Sequence, residues 1–198
     1  GPEWQGFAGL AAPALTLDQQ GYATTSLMAL DYALGQQQKW LEDVPGNVPG
    51  YDDVTMEQHL QELLQGQALG RWQQAQVQQT AALQRINHML EQRLQQRSLC
   101  PAGRKTPTAE VLHNVLVRFY IGELQPSLSA TDRYGQVVLE RLQQLWPYAD
   151  RPVPQVWRHW LEALQQQRAR LLVVSREHVT LNNRWLSSCG MAPGQPQP

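Results

Sequence analysis

Charged residues are scarce in this chain. Asp, Glu, Lys and Arg together make up 17% of its 198 residues, against about 25% in an average globular protein. The formal net charge is only −1 at pH 7, so no strongly basic field is available for non-specific binding of nucleic acid. A run of about 20 apolar residues, as a transmembrane helix requires, is also missing, and we expect no membrane span.

Cysteine is equally rare, with Cys100 and Cys189 as the only two examples. A small secreted domain that depends on disulfides usually carries more. Both cysteines follow predicted helices, and we prefer to interpret them as free thiols in a reducing, intracellular compartment. A long-range disulfide between the two helix ends is the alternative, and the source compartment stays open.

Glutamine takes the place of the missing charge. The chain contains 29 glutamines, beside 28 leucines and 7 tryptophans. Leucine and tryptophan supply enough core material to argue against disorder of the whole chain. Glutamine-rich helical faces are polar but uncharged, and they both donate and accept hydrogen bonds. Such faces suit association with other helices, and they suit plain solubility equally well.

Apolar residues recur at steps of three and four, the spacing of amphipathic helices. No alternation with period two predicts a strand. Thr106-Pro107 is typical of a helix start, and Ser129 with Asp132 resembles a capping box. We predict that Pro126 and Pro147 end helices. The predicted helices cover about 25–41, 53–94 with a weak point at Gly66 and Gly70, 107–124, 129–146 and 153–186.

Two of these helices have distinctive patterns. The strongly apolar helix 107–124 is expected to be central and mostly buried. In the last helix, one heptad position is largely apolar (Trp157, Leu164, Leu171, His178 and Trp185), whereas the other becomes polar from Arg168 onward. A pure coiled coil is apolar at both positions, so we favour packing by a wider face that includes Leu172, Val173, Val174 and Val179.

The sequence therefore predicts an all-α bundle of five or six helices, two of them long, with an irregular N-terminal arm. We assign residues 1–25 to the arm, 26–189 to the bundle and 190–198 to a flexible tail. The loop 43–52, which contains two Pro-Gly pairs, is a candidate boundary inside the bundle.

No motif in the chain predicts catalysis. The five histidines lack the spacing of a helical metal site, and Cys189 is followed by a glycine that a helix C-terminus explains. Asp52 and Asp53 stand at a predicted helix start, where negative charge is favourable without any chemistry. We expect a non-enzymatic protein with no catalytic residue, no cofactor and no metal site.

A protein–protein interaction module is the preferred functional prediction: an adaptor, an assembly subunit or a chaperone that binds another, helical protein. Homo-oligomerisation is left open. One alternative is a nucleic-acid-associated helical protein that uses arginines and tryptophans between Arg151 and Arg176. Another is a secreted helical signalling protein, which requires a Cys100–Cys189 disulfide. Aromatic side chains in or beside irregular segments are the candidate partner anchors, namely Trp4, Phe7, Trp40, Tyr51, Trp157 and Trp160.

Overall fold

The computed structural model describes residues 22–42, 55, 57–59, 61, 68–96, 98–145 and 153–192. This part of the chain is overwhelmingly helical and contains no strand, which confirms the all-α prediction. None of its helices has a stretch long and apolar enough to cross a membrane. Its helices are α1 (Tyr22–Glu42), α2 (Ala68–Gln96), α3 (Pro107–Val115), α4 (Gln125–Gln144) and α5 (Gln155–Ser188).

The start of α3 follows the predicted capping pattern. Thr106 has an extended backbone, and its hydroxyl oxygen accepts a hydrogen bond from the Ala109 N–H at 3.2 Å. Pro107 occupies the first helical position, where its missing N–H costs no helical hydrogen bond. The Thr106 hydroxyl also donates to the Leu99 carbonyl at 2.7 Å, which ties the helix start to the preceding turn.

Pro126 does not end a helix, contrary to the prediction. α3 continues through a π-helical segment, Leu116–Leu124, directly into α4. A proline lacks the amide N–H and crowds the carbonyl four residues earlier. The wider π-helical turn, in which the Gln125 N–H bonds to the Tyr120 carbonyl, accommodates the ring without a break. Ser129 and Asp132 consequently lie inside α4, and the helix start predicted there is wrong.

The chain divides into two compact units. In its described part, the first unit consists of residues 76–129 and 169–192. Its core gathers apolar side chains from α2, α3, the π-helical segment and α5. Burial of these side chains is the main stabilising contribution. They include Leu83, Leu90, Leu116, Tyr120, Leu171, Val174 and Trp185.

Cys100 and Cys189 form a disulfide in this unit, so the prediction of two free thiols is wrong. Cys100 precedes the short 3-10 turn Pro101–Gly103, and Cys189 follows the end of α5. The two Cα atoms lie 5.1 Å apart, and both side chains are buried in the core. The two cysteines lie 89 residues apart in the chain, and nothing in the sequence indicated that the turn after α2 and the end of α5 meet.

The second unit contains, among the described residues, α1 and the portions 68–75, 130–145 and 153–168. Trp72 lies fully buried in its core, and its indole N–H donates to the Thr131 carbonyl at 3.1 Å. The hydroxyls of Ser26 and Tyr134 share a buried hydrogen bond of 2.7 Å. Asp31 pairs with Arg141 at the surface, and the hydrogen bond from that guanidinium lowers the pKa of Asp31.

Burial differs from the prediction in the strongly apolar helix. The helix predicted to be mostly buried instead exposes Val111, Val117 and Ile121 by about half. In the glutamine-rich stretch of α2, Gln76, Gln79 and Thr80 are buried, so this face does not simply face solvent.

In α5, the apolar heptad position is buried at Leu164, Leu171, His178 and Trp185. The wider face predicted for α5 is confirmed only in part. Val174 is buried, while Val173 and Val179 are exposed.

Candidate functional site

A groove of about 720 Å³ lies in the first unit between α2 and the helix formed by α3 and the π-helical segment. Its floor contains two buried residues of α5, His178 and Asn182. The helical spacing of three and four residues places several apolar side chains of each wall toward the groove. These are Ile86, Met89 and Leu90 from α2, and Val111, Leu112, Val115 and Leu116 from the opposite wall.

Both walls of the groove expose large apolar side chains. Met89 of α2 is 53% exposed and Val111 of α3 is 55% exposed. Single exposed apolar residues are ordinary, but a contiguous apolar surface in a concave site marks a place of interaction. The groove offers apolar area that a bound molecule would remove from water.

The polar residues that line the groove are mostly uncharged. Gln92, Gln96 and Thr108 belong to this lining, and Arg93 is the single arginine, lysine, aspartate or glutamate in it. An apolar occupant thus meets little charge to desolvate, which lowers the cost of binding.

A chain of hydrogen bonds fixes the residues on the floor. The Asn87 amide NH₂ donates to the Val174 carbonyl at 3.0 Å and to Glu177 Oε2 at 3.3 Å. Asn87 Oδ1 therefore faces His178 Nδ1, which lies 2.8 Å away. Because an amide oxygen only accepts, Nδ1 of His178 carries the proton.

Nε2 of His178 is then the unprotonated nitrogen of a neutral ring. This atom is buried and has no hydrogen-bond partner. Burial lowers the pKa of His178 to about 4, so the ring remains neutral at physiological pH. The ring of Tyr120 lies 4.3 Å from that of His178, measured between centroids, and burial raises the pKa of Tyr120.

Asn182, the other polar residue on the floor, has partners for both ends of its side-chain amide. Its NH₂ donates to the His178 carbonyl at 2.8 Å, and its Oδ1 accepts from the Trp185 indole at 2.9 Å. Nε2 of His178 is thus a buried acceptor without a hydrogen-bond partner.

The described lining of the groove contains no carboxylate and no thiol, and its hydroxyl groups belong to Thr108 and Tyr120. Among the described residues, no group of three or more potential metal ligands is found. The groove offers apolar area together with the side-chain donors and acceptors of Gln92, Gln96 and Thr108,.

The predicted partner anchors lie elsewhere or outside the described residues. Trp4, Phe7 and Tyr51 are among the residues not described, and of Trp40 only the helical backbone is described. Trp157 and Trp160 lie together in the second unit, with ring centroids 5.0 Å apart. They line a shallow apolar hollow with Pro154 and Val156, and Val156 is 81% exposed.

The residues proposed for nucleic-acid binding, between Arg151 and Arg176, belong in part to each unit, and Arg151 lies outside the described residues. Trp157 and Trp160 are partly buried against the core of the second unit. Arg168 forms an ion pair with Asp132 at 2.7 Å, so the positive charge of Arg168 is compensated. Arg158, Arg170 and Arg176 are exposed on α5.

Sequence reasoning missed the groove because it assigned the apolar residues of 107–124 to a buried core. The signal was present in the composition of that helix. A helix with apolar residues around most of its circumference needs more than one partner surface. Val111, which is more than half exposed, lies on a part of this helix that no other described element covers. His178 was noted only as a seam position of α5.

Comparison with known proteins identifies a family without adding a function. No curated protein and no solved structure matches the chain significantly. A family profile matches residues 1–193, nearly the whole length. The chain belongs to this family, which is described as a protein of unknown function, DUF3080.

Proposed function

We propose that this protein is a non-enzymatic protein–protein interaction module that binds an apolar helical segment of another protein. The observation that carries the proposal is the open groove of the first unit, with Met89 and Val111 more than half exposed on its two walls. A bound helix would cover these side chains and gain the free energy of apolar burial. Adaptor, assembly subunit and chaperone are all roles that such a groove can serve.

The shape and charge of the groove define the partner. A groove between two helices accepts a third helix whose apolar residues recur at i, i+3 or i+4 and i+7. Because Arg93 is the single Asp, Glu, Lys or Arg in the described lining, the partner helix should present few charged residues on its apolar face.

The disulfide supports an oxidising compartment as the place of this interaction. Structural disulfides persist in secreted and periplasmic proteins and are rare in the cytosol. The Cys100–Cys189 bond thus favours a secreted protein over an intracellular adaptor. A secreted helical signalling protein is therefore the second candidate function. Both candidates use the same groove to contact a partner.

A matched pair of substitutions tests the proposal. Val111 and Val173 are valines on helices of the first unit, 55% and 60% exposed, and only Val111 lines the groove. We expect a partner recovered with the tagged wild-type protein to be lost with Val111→Glu and retained with Val173→Glu. If both variants have the same melting temperature and recover the partner equally well, the partner binds outside the groove.

A further inference from the structure

We propose that the Cys100–Cys189 disulfide makes the groove of the first unit competent to bind, so that the protein takes up its partner only after oxidation. The inference rests on the proposed function, because it names what controls the same groove. Its starting point is the position of the bond, which joins the turn between the two walls of the groove to the helix that supplies the floor.

The turn between α2 and α3 carries groove residues at both of its ends. Leu99 comes directly before Cys100 and lines the groove, as do Pro107 and Thr108, the first residues of α3. Only residues 101–106 separate Cys100 from Pro107. Whatever fixes the position of Cys100 therefore also restrains the start of the α3 wall.

The hydrogen bonds described for this turn are local. The Gly103 N–H donates to the Cys100 carbonyl at 3.0 Å, and the Thr106 hydroxyl donates to the Leu99 carbonyl at 2.7 Å. These bonds shape the turn, but both of their ends lie within it. The disulfide is the covalent tie between the turn and α5.

The end of α5 is a firm anchor for that tie. Gly190 has a φ of +63°, and the N–H groups of Gly190 and Met191 donate to the carbonyls of Ser187 and Leu186 at 3.2 and 2.8 Å. These are the paired hydrogen bonds of a Schellman motif. Met191 also packs against the core of the first unit.

Without the bond, the turn keeps its hold on the core through buried apolar side chains such as Leu99. A segment with few remaining ties opens locally at a lower free energy than the whole unit requires to unfold. A partner would then have to order the α3 wall as it binds, which weakens its affinity.

The oxidation itself is a thiol–disulfide exchange. The thiols of Cys100 and Cys189 lose two protons and two electrons, and the disulfide of an oxidising protein or small molecule accepts them and becomes two thiols. The two cysteines are only 3% and 1% exposed, so a reducing dithiol reaches the bond only when the turn opens. The bond therefore acts as a maturation step that the folded protein retains.

Amide hydrogen exchange tests the structural part of the inference. The oxidised wild type is compared with the double variant Cys100→Ala, Cys189→Ala and with Leu83→Ala, a truncation in the same core outside the groove lining. Both changes destabilise a domain substantially. We expect residues 99–108 to lose protection selectively in the double variant. A uniform loss across the first unit in both variants would overturn the inference.

Binding completes the test. The probe is a synthetic helical peptide with leucine at i, i+3, i+4 and i+7 and with alanine and glutamine elsewhere. It should shift the methyl resonances of Met89 and Val111 in the wild type and in Leu83→Ala, and this shift should be lost in the double variant. Equal binding by the wild type and the double variant, or equal loss in Leu83→Ala, would overturn the inference and leave the proposed function standing. A wild type that does not bind the peptide in the groove would contradict the proposed function instead.

An insertion keeps the test available if the double variant does not fold. A short run of glycines between Gly103 and Arg104, both exposed in the turn, leaves the disulfide intact and uncouples the α3 wall from Cys100. We expect this oxidised variant to lose the peptide-induced shift at Val111. Unchanged binding would show that the bond does not act through the turn, and would overturn the inference.

Discussion

At the scale of single residues, the contact between Gly135 and Trp72 sets a tight constraint in the second unit. A Cβ added at Gly135 would lie 2.5 Å from Cζ2 of the buried Trp72 ring. Gly35, in α1, has no atom within 4 Å of the corresponding position. The two glycines are both helical, so they separate the effect of packing from that of helix propensity.

We expect Gly135→Ala to lower the free energy of unfolding by about 1 to 3 kcal/mol, because overlap with Trp72 outweighs the gain in helix propensity. Gly35→Ala should raise it by up to about 1 kcal/mol. Denaturant unfolding of both variants measures the difference. A stabilised Gly135→Ala protein would mean that Trp72 moves aside freely, contrary to its buried position.

His178 gives the protein a pH-dependent contribution to stability. Burial holds its pKa near 4 in the folded protein, against about 6.5 in the unfolded chain. The unfolded state therefore binds the extra proton first, and this contribution is full above pH 6.5 and is lost as the pH falls toward 4. Between pH 7.5 and pH 5 the loss amounts to about 2 kcal/mol.

The measurement is the free energy of unfolding at these two pH values for the wild type and for His178→Gln. Between these pH values, the free energy of unfolding of the variant should fall by about 2 kcal/mol less than that of the wild type. The two proteins share all other ionisable groups. Equal pH dependence in the two proteins would show that His178 is not held neutral by the fold.

At the scale of elements, the helix starts and stops differ in how well the sequence encodes them. The α3 start was predicted because Thr106 and Pro107 act through local hydrogen bonds and backbone angles,. Pro126 misled the prediction, because the cost of a proline depends on whether the preceding turn can widen. The π-helical segment before it is a tertiary outcome that periodicity does not show.

The disulfide is the element-scale feature with the largest predicted effect. It closes a chain separation of 89 residues, and the loss of unfolded-state entropy for such a loop corresponds to roughly 4 to 5 kcal/mol. Replacing Cys100 and Cys189 together with alanine should lower the free energy of unfolding of the first unit by about this amount. Reductant should destabilise the wild type and leave the double variant unchanged.

Thiol titration of the denatured, unreduced protein provides the independent check. We expect no reactive thiol, because the described cysteines are both in the bond. Two reactive thiols would restore the free-cysteine interpretation and remove the argument for an oxidising compartment.

At the scale of the whole molecule, the sequence predicted the class of fold better than its organisation. Leucine spacing identified the helices, since amphipathic periodicity is a local property. The division into two units and the groove of the first unit depend on which helices meet, and many pairings satisfy the same spacing. The sequence placed His178 on the apolar seam of α5, but the hydrogen bond between its Nδ1 and Asn87, which lies 91 residues away in the chain, depends on the tertiary fold.

The central claim is that the groove of the first unit is where a partner protein binds. A photoreactive residue placed at Val111, and in a separate protein at Val173, tests it most directly. We predict that Val111 crosslinks to one protein through an apolar helical segment, whereas Val173 does not. Crosslinks to the same protein from both positions, or from Val173 alone, would contradict the assignment of the groove as the binding site.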